Sequence, residues 1–216
     1  MQSQPQVPYI PSFANLQLES VIGFVLGALF AVLFLAEGQA YMATTLGDRR
    51  PGAKDRFHYN AFLHLDPLGA VAFVLGGFGW ARPLDIDPSR FPHPRLYLLL
   101  SRLSGPIANL LAAGIGASLI HLIMSLMALD PHIFLGVVAV NITVAVYNFL
   151  PLPPLALGTA LVEMLPDSQA ALKTRILRMG PYLVVALAAY DRFSGAGWGA
   201  KYLHPLIVAI YNFTTR

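Results

Sequence analysis

The sequence predicts an all-α protein: a polytopic membrane helix bundle of about five spans with one short re-entrant hairpin segment. Three observations carry this expectation. The 216 residues are 56% hydrophobic and 12% charged, with a mean hydropathy of +0.60, whereas soluble domains carry about one quarter charged residues. Long apolar runs recur at 21–43, 96–129, 132–150, 176–190 and 202–213, and a hydrocarbon core about 30 Å thick is crossed by about 20 helical residues. The Lys and Arg residues cluster in some of the connections between these runs and are missing from others, the asymmetry expected of loops on opposite sides of a membrane.

Residues 1–20 form an extended N-terminal segment without Lys or Arg; with no basic n-region and no small-residue cleavage site, a removable signal is not expected. A single transmembrane domain, 21–214, follows. Its first span, 21–43, has Glu37 as its one ionisable side chain and a Gly23/Gly27 pair at Gly-x-x-x-Gly spacing, which lets helix backbones approach closely. The run 67–80 is too short to cross, since 14 helical residues rise only about 21 Å. Arg49, Arg50, Lys54 and Arg56 precede it, and Arg82, Arg90, Arg95 and Arg102 follow it. Both clusters are cytoplasmic if the segment dips in and returns. Its glycines, Gly69, Gly76, Gly77 and Gly79, suit a hairpin sheltered by protein, because unpaired backbone cannot face lipid.

The run 96–129 carries a smooth patch at Gly114, Gly116, Ala117 and Ser118, and the Asp130-Pro131 connection has no basic residue. Pro151, Pro153 and Pro154 end the run 132–150 by removing backbone donors and clashing one turn back. Lys173, Arg175 and Arg178 mark an internal loop, and 194–200 reads as external. The topology is N-terminus out and C-terminus in. Tyr41, Trp80, Tyr97, Tyr147, Tyr190, Trp198, Tyr202 and Tyr211 are expected as interfacial anchors.

Several function classes are excluded on composition. Zero cysteines remove disulfides, thiolate metal sites and cysteine nucleophiles. The pI near 9.3 arises from 14 basic against 11 acidic residues and is not a nucleic-acid signal. No phosphate-cradling loop, haem motif or nucleophilic triad is present. No cofactor, nucleic acid or soluble small-molecule substrate is expected; the expected partners are the lipid bilayer and other membrane protein subunits.

The motifs run in a fixed order: Leu46-Gly47-Asp48; Asn60 with His64-Leu65-Asp66-Pro67-Leu68-Gly69; Gly77-Phe78-Gly79-Trp80-Ala81-Arg82-Pro83; Ser104-Gly105-Pro106 with Asn109; Asn141; and Asn148-Phe149-Leu150-Pro151 with Pro153-Pro154-Leu155. This order, over about residues 15–214, resembles the compact bacterial branch of the site-2 protease family of intramembrane zinc metalloproteases. The resemblance implies a bacterial cytoplasmic membrane protein. It also implies a His-Glu-x-x-His motif on the first core helix and an Asp after the Pro-Pro-Leu run, together holding zinc that polarises a carbonyl and acidifies a bound water.

Counting back from Leu46-Gly47-Asp48 places that motif on Leu35, Ala36, Glu37, Gly38 and Gln39, and the Asp position on Ala156. Leu, Gln and Ala are not zinc ligands of the imidazole and carboxylate class. His64, Asp66, Asn109, Asn141, Asn148, Pro153 and Pro154 match the family's structural positions. Shifting Glu37 onto the catalytic glutamate leaves Ala36 and Ala40 at the ligand positions. The resulting expectation is a degenerate member of the family: not an enzyme, with no catalytic or metal-binding residue, serving as an accessory interaction subunit of a larger membrane complex such as a bioenergetic one. A pseudoprotease that binds transmembrane substrates without cleaving them is the alternative. A residual metal-dependent intramembrane protease centred on Glu37, with His64 and Asp66 nearby, is a further one. Glu37, an ionisable residue in a span, is a functional candidate by default, or else lies near enough the cytoplasmic end to reach water or to pair with an Arg such as Arg49 or Arg50. His58, His64 and Asp66 form a conceivable ligand trio, and His121 is expected to bond a neighbouring helix.

Overall fold

In the computed structural model, which describes residues 17–50, 57–126, 131–195 and 197–215, the apolar runs fold as helices, and no strand forms among the described residues. The chain runs through α1 (Leu18–Leu46), α2 (Ala61–His64), α3 (Pro67–Gly76), α4 (Pro94–Leu126), α5 (His132–Asn148), α6 (Ala156–Glu163), α7 (Ala170–Ser194), α8 (Trp198–Tyr202) and α9 (His204–Thr214). Most of the N-terminal segment, Lys54, Arg56 and Asp130 lie outside the described residues.

A helix that is apolar on every side has no face for water and belongs inside a bundle. α5 is that helix: from Val138 to Asn148 every residue is buried, enclosed by α1, α4 and α9. α1 packs on it through the small pair, since a Cβ at Gly27 would lie 2.8 Å from Val140 Cβ and one at Gly23 3.1 Å from Ile133 O. The Gly-x-x-x-Gly spacing therefore serves the internal bundle. α1 also meets α4 at backbone distance: a Cβ at Gly105 would lie 2.6 Å from Leu35 O, and one at Gly38 would lie 3.0 Å from Ser104 O.

The charge pattern predicted a short segment that dips and returns, built as a hairpin. Its conformation is instead a helix followed by an extended return. Pro67 opens α3 at a position that needs no amide donor, and Asp66 Oδ1 accepts from Gly69 N at 2.9 Å. Gly77 ends α3 in the left-handed region (φ 72°) and donates to Phe73 O. The chain then runs back so that Leu65 and Ala81 form an antiparallel bridge and Arg82 N donates to His64 O at 2.7 Å. Both ends of the segment therefore lie together. The return is tight: a Cβ at Gly79 would come within 2.3 Å of the Phe73 ring.

The five expected spans are not all matched by long apolar helices: among the described residues two are long and apolar enough to cross a membrane, α1 and residues Pro94–Leu122 of α4. α5 has only 17 residues, α9 has 11, and the 25-residue α7 carries Lys173, Arg175, Arg178, Asp191 and Arg192. Nor are Trp80, Tyr147 and Tyr211 interfacial anchors: all three are core residues, Trp80 being 1% exposed, and Tyr147 stacks on Phe78 with ring centroids 3.8 Å apart. Tyr41, Tyr190 and Tyr202 do stand exposed. His121 bonds a neighbouring helix end as expected, Nε2 to Thr215 O at 3.2 Å.

The proline-rich turn after α5 is held by equally close contacts, a Cβ at Gly158 lying 2.2 Å from the Leu152 carbonyl carbon, whereas one at Gly114 would meet nothing within 4 Å. Gly158→Ala is predicted to cost about 1–3 kcal/mol by overpacking. Gly114→Ala is predicted to be stabilising by about 0.5–1 kcal/mol from helix propensity. Thermal unfolding of the two variants in detergent checks the opposite signs.

Candidate functional site

The last turns of α1 present two different faces to two different neighbours. On one face Leu35 and Gln39, a turn apart, line a cavity of about 110 Å³ together with Trp80, Arg82, Leu84, Arg102, Asn148, Pro154, Ala156, Thr159 and Glu163. Leu35, Gln39 and Ala156, far apart in sequence and picked out by motif counting, are thus brought to one place. Glu37, two residues from Leu35 and so on the far side of a 3.6-residue turn, is not in that lining.

Glu37 is 8% exposed. Its Oε1 accepts from the backbone N–H of His58 at 3.0 Å and of Tyr59 at 2.9 Å, and lies 3.1 Å from His64 Nε2. Oε2 is buried with no hydrogen-bond partner among the described residues. The carboxylate therefore pins the segment before α2 onto α1, and Tyr59 adopts a positive φ of 47° in doing so, a region costly for a non-glycine residue. Of the alternatives for Glu37, pairing with Arg49 or Arg50 does not form, and at 8% exposure it does not reach water freely. Arg50 instead holds Asp48, Nε to Oδ1 at 2.8 Å, and Asp85, and its pKa is pushed further up, chiefly by the bond to Asp48.

Nor do His58, His64 and Asp66 assemble as a ligand trio. The two rings lie 5.7 Å apart by centroid, Asp66 caps α3, and among the described residues no group of three His, Cys, Asp or Glu could hold a metal ion.

The family-type asparagines have distinct placements. Asn148 Nδ2 donates to Gly79 O at 3.2 Å and Val144 O at 2.8 Å, while its Oδ1 accepts from Ala156 N at 3.1 Å. One side chain thus ties the end of α5 to the extended return and to the start of α6, next to Pro153 and Pro154. Asn141 Nδ2 bonds Val137 O on its own helix. Asn109 is fully buried on α4, and neither of its amide atoms has a partner among the described residues.

Sequence reasoning missed Arg102, which it counted only as loop charge. Arg102 is 3% exposed. Its guanidinium donates to Gln39 Oε1 at 3.0 Å, to Leu84 O at 2.9 Å, and through Nε and Nη2 to both oxygens of Glu163. The only signal was a lone Arg inside an apolar run, a type of residue that is buried only when paired. Its acidic partner lies 61 residues away.

No protein-family model and no solved structure matches the chain. A curated protein of Bacillus subtilis (strain 168), named "Putative zinc metalloprotease YwhC", is 34% identical over an alignment 145 residues long that covers 63% of this chain and 66% of that protein, just under two thirds of its length. This chain is similar to a zinc metalloprotease by name, consistent with the site-2-protease-like resemblance. The expectation of a non-enzyme is overturned by this finding, because the likeness points to a protease.

The residues present do not fit the zinc ion that name implies. Leu35 and Ala156 offer no donor atom. Gln39 Oε1 already accepts from Arg102, and a buried guanidinium beside the same oxygen repels a dication.

Glu37→Ala removes the acceptor of two amides and the partner of His64. With bonds to charged groups contributing about 1.5–3 kcal/mol each, amide hydrogen exchange is expected to rise sharply across 58–64 while α6 keeps its protection. Hydrogen exchange read by mass spectrometry checks both halves.

Proposed function

We propose that the chain is a multi-pass, site-2-protease-like membrane protein that binds a membrane-borne polypeptide segment in extended form across the mouth of the cavity between α1 and α6, with one side chain of the segment entering it. The observation that carries this reading is the extended return, 77–87, which forms one wall of that cavity through Trp80 and Leu84. An extended backbone beside a cavity suits strand-type peptide recognition, in which main-chain bonds supply affinity and side-chain pockets supply selectivity. Asn148 and Arg102 hold that wall by bonding Gly79 O and Leu84 O, so the wall is in place before a ligand arrives and little ordering entropy opposes binding.

Peptide-bond hydrolysis is the reaction class that the similar protein's name favours for the bound segment. No step is assigned through zinc, which these residues do not fit. Two carboxylates line the cavity, Asp66 and Glu163, and both are engaged, one as a helix cap and the other with Arg102. Orientation with the N-terminus outside and the C-terminus in the cytoplasm belongs to the same proposal, supported by the distribution of Lys and Arg.

A photoreactive phenylalanine analogue placed at Leu177, which lines the cavity, tests the reading in native membranes. Cross-links to a polypeptide containing a hydrophobic segment are expected. Cross-links to lipid alone would sink it. A cross-linked product that is shortened marks cleavage, and one captured at full length in constant stoichiometry marks a stable subunit contact in a membrane assembly.

A further inference from the structure

Of the two arginines that line the cavity, Arg102 is the buried one, and it joins the elements that a bridging metal would join. In the zinc arrangement implied by the resemblance, ligands at positions 35 and 39 of α1 would be tied to one at position 156 of α6. Here α1 and α6 are tied by a different route. Gln39 Oε1, at one of those positions, accepts from Arg102 Nη1, and Glu163 accepts from Arg102 Nε and Nη2. Glu163 lies seven residues after Ala156 on α6, two turns along the same helical face. A third element is gathered in as well, because Arg102 Nη2 donates to Leu84 O.

We propose that Arg102 is a built-in replacement for the bridging metal ion, a positioning residue that sets the spacing of α1, the 77–87 wall and α6 and excludes a dication from the cavity. The inference concerns how the cavity is held, and it stands or falls independently of what the cavity binds.

The chemistry of the guanidinium suits this work. It is planar, permanently charged and forked, so it meets a carboxylate through two parallel bonds while keeping donors for two more acceptors. Its partners here are a carboxylate, an amide oxygen and a main-chain carbonyl, all oxygens, as a hard cation would choose. Gln at position 39 fits a guanidinium donor where a histidine would fit a metal: the amide offers an acceptor oxygen without a charge to balance. Arg102 itself is placed by the close contact of α4 with α1, three residues before Gly105 in the same helix.

Cobalt and zinc binding by four purified proteins tests the idea: the native chain; Arg102→Met; Leu35→His with Gln39→His and Ala156→Asp; and these three changes combined with Arg102→Met. The native chain is expected to hold no stoichiometric zinc and to melt at the same temperature with and without a chelator. Arg102→Met is expected to lower that temperature by about 5–10 °C, the consequence of leaving the half-buried Glu163 and the Gln39 and Leu84 oxygens without their partner. Arg102→Lys should restore only part of the loss, because a point charge cannot hold three partners in a fixed plane.

The combined variant should show the visible absorption of tetrahedral cobalt and bind it at least about tenfold more tightly than the ligand variant that retains Arg102, since a neighbouring positive charge opposes the metal. Stoichiometric zinc in the native protein whose removal lowers its melting temperature would overturn the proposal. So would equal cobalt binding, or equal failure to bind, by the two ligand variants.

Discussion

Backbone contact between α1 and α4 is the constraint from which the site follows. With Gly105 set against Leu35 O and Gly38 against Ser104 O, the two helices lie closer than side chains would permit. Ser104 Oγ reinforces the approach by donating to Gly38 O at 2.9 Å. That closeness brings Arg102, one turn earlier on α4, within reach of Gln39, and leaves Leu35 and Gln39 facing the cavity. A methyl group at either glycine would push α1 away and part the Arg102–Gln39 bond before any residue of the cavity itself had changed.

Around this pair the remaining elements are fastened by polar side chains that each serve more than one neighbour. Asn148 bonds α5, the extended return and the start of α6. Arg102 joins α1, the return and α6. Glu37 fastens the segment before α2 to the other face of α1. In an interior of low dielectric a satisfied polar group is a strong directional tie and an unsatisfied one a large cost, so these three residues specify one arrangement of parts that apolar packing alone would leave free to slide.

The likeness to a zinc metalloprotease and the chemistry of the cavity bear on different levels. The 34% identity to a protein named as a zinc metalloprotease points to a protease as the relevant kind of protein. The residues at positions 35, 39 and 156 speak about the metal, and there the donors are absent or already bonded to a guanidinium. Architecture is set by many weak contacts and tolerates replacement of a few side chains, whereas a metal site depends on three or four atoms and does not.

Local patterns were enough to place α1 and α4 and the end of α5 at the prolines, because each rests on composition or on spacing along one stretch of chain, whereas the grouping of Leu35, Gln39 and Ala156 was implied only by the family resemblance. Apolar runs alone do not fix the number of spans, since a run buried among other helices and a run facing lipid have the same composition, as α5 illustrates. Which way Glu37 points, which acid Arg102 meets and whether Trp80 lies at an interface or in the core were decided only by tertiary packing. The first two of those outcomes depend on partners tens of residues away, His64 for Glu37 and Glu163 for Arg102. A one-dimensional pattern records which side of a helix a residue occupies, but the identity of the group facing it exists only once the helices have packed.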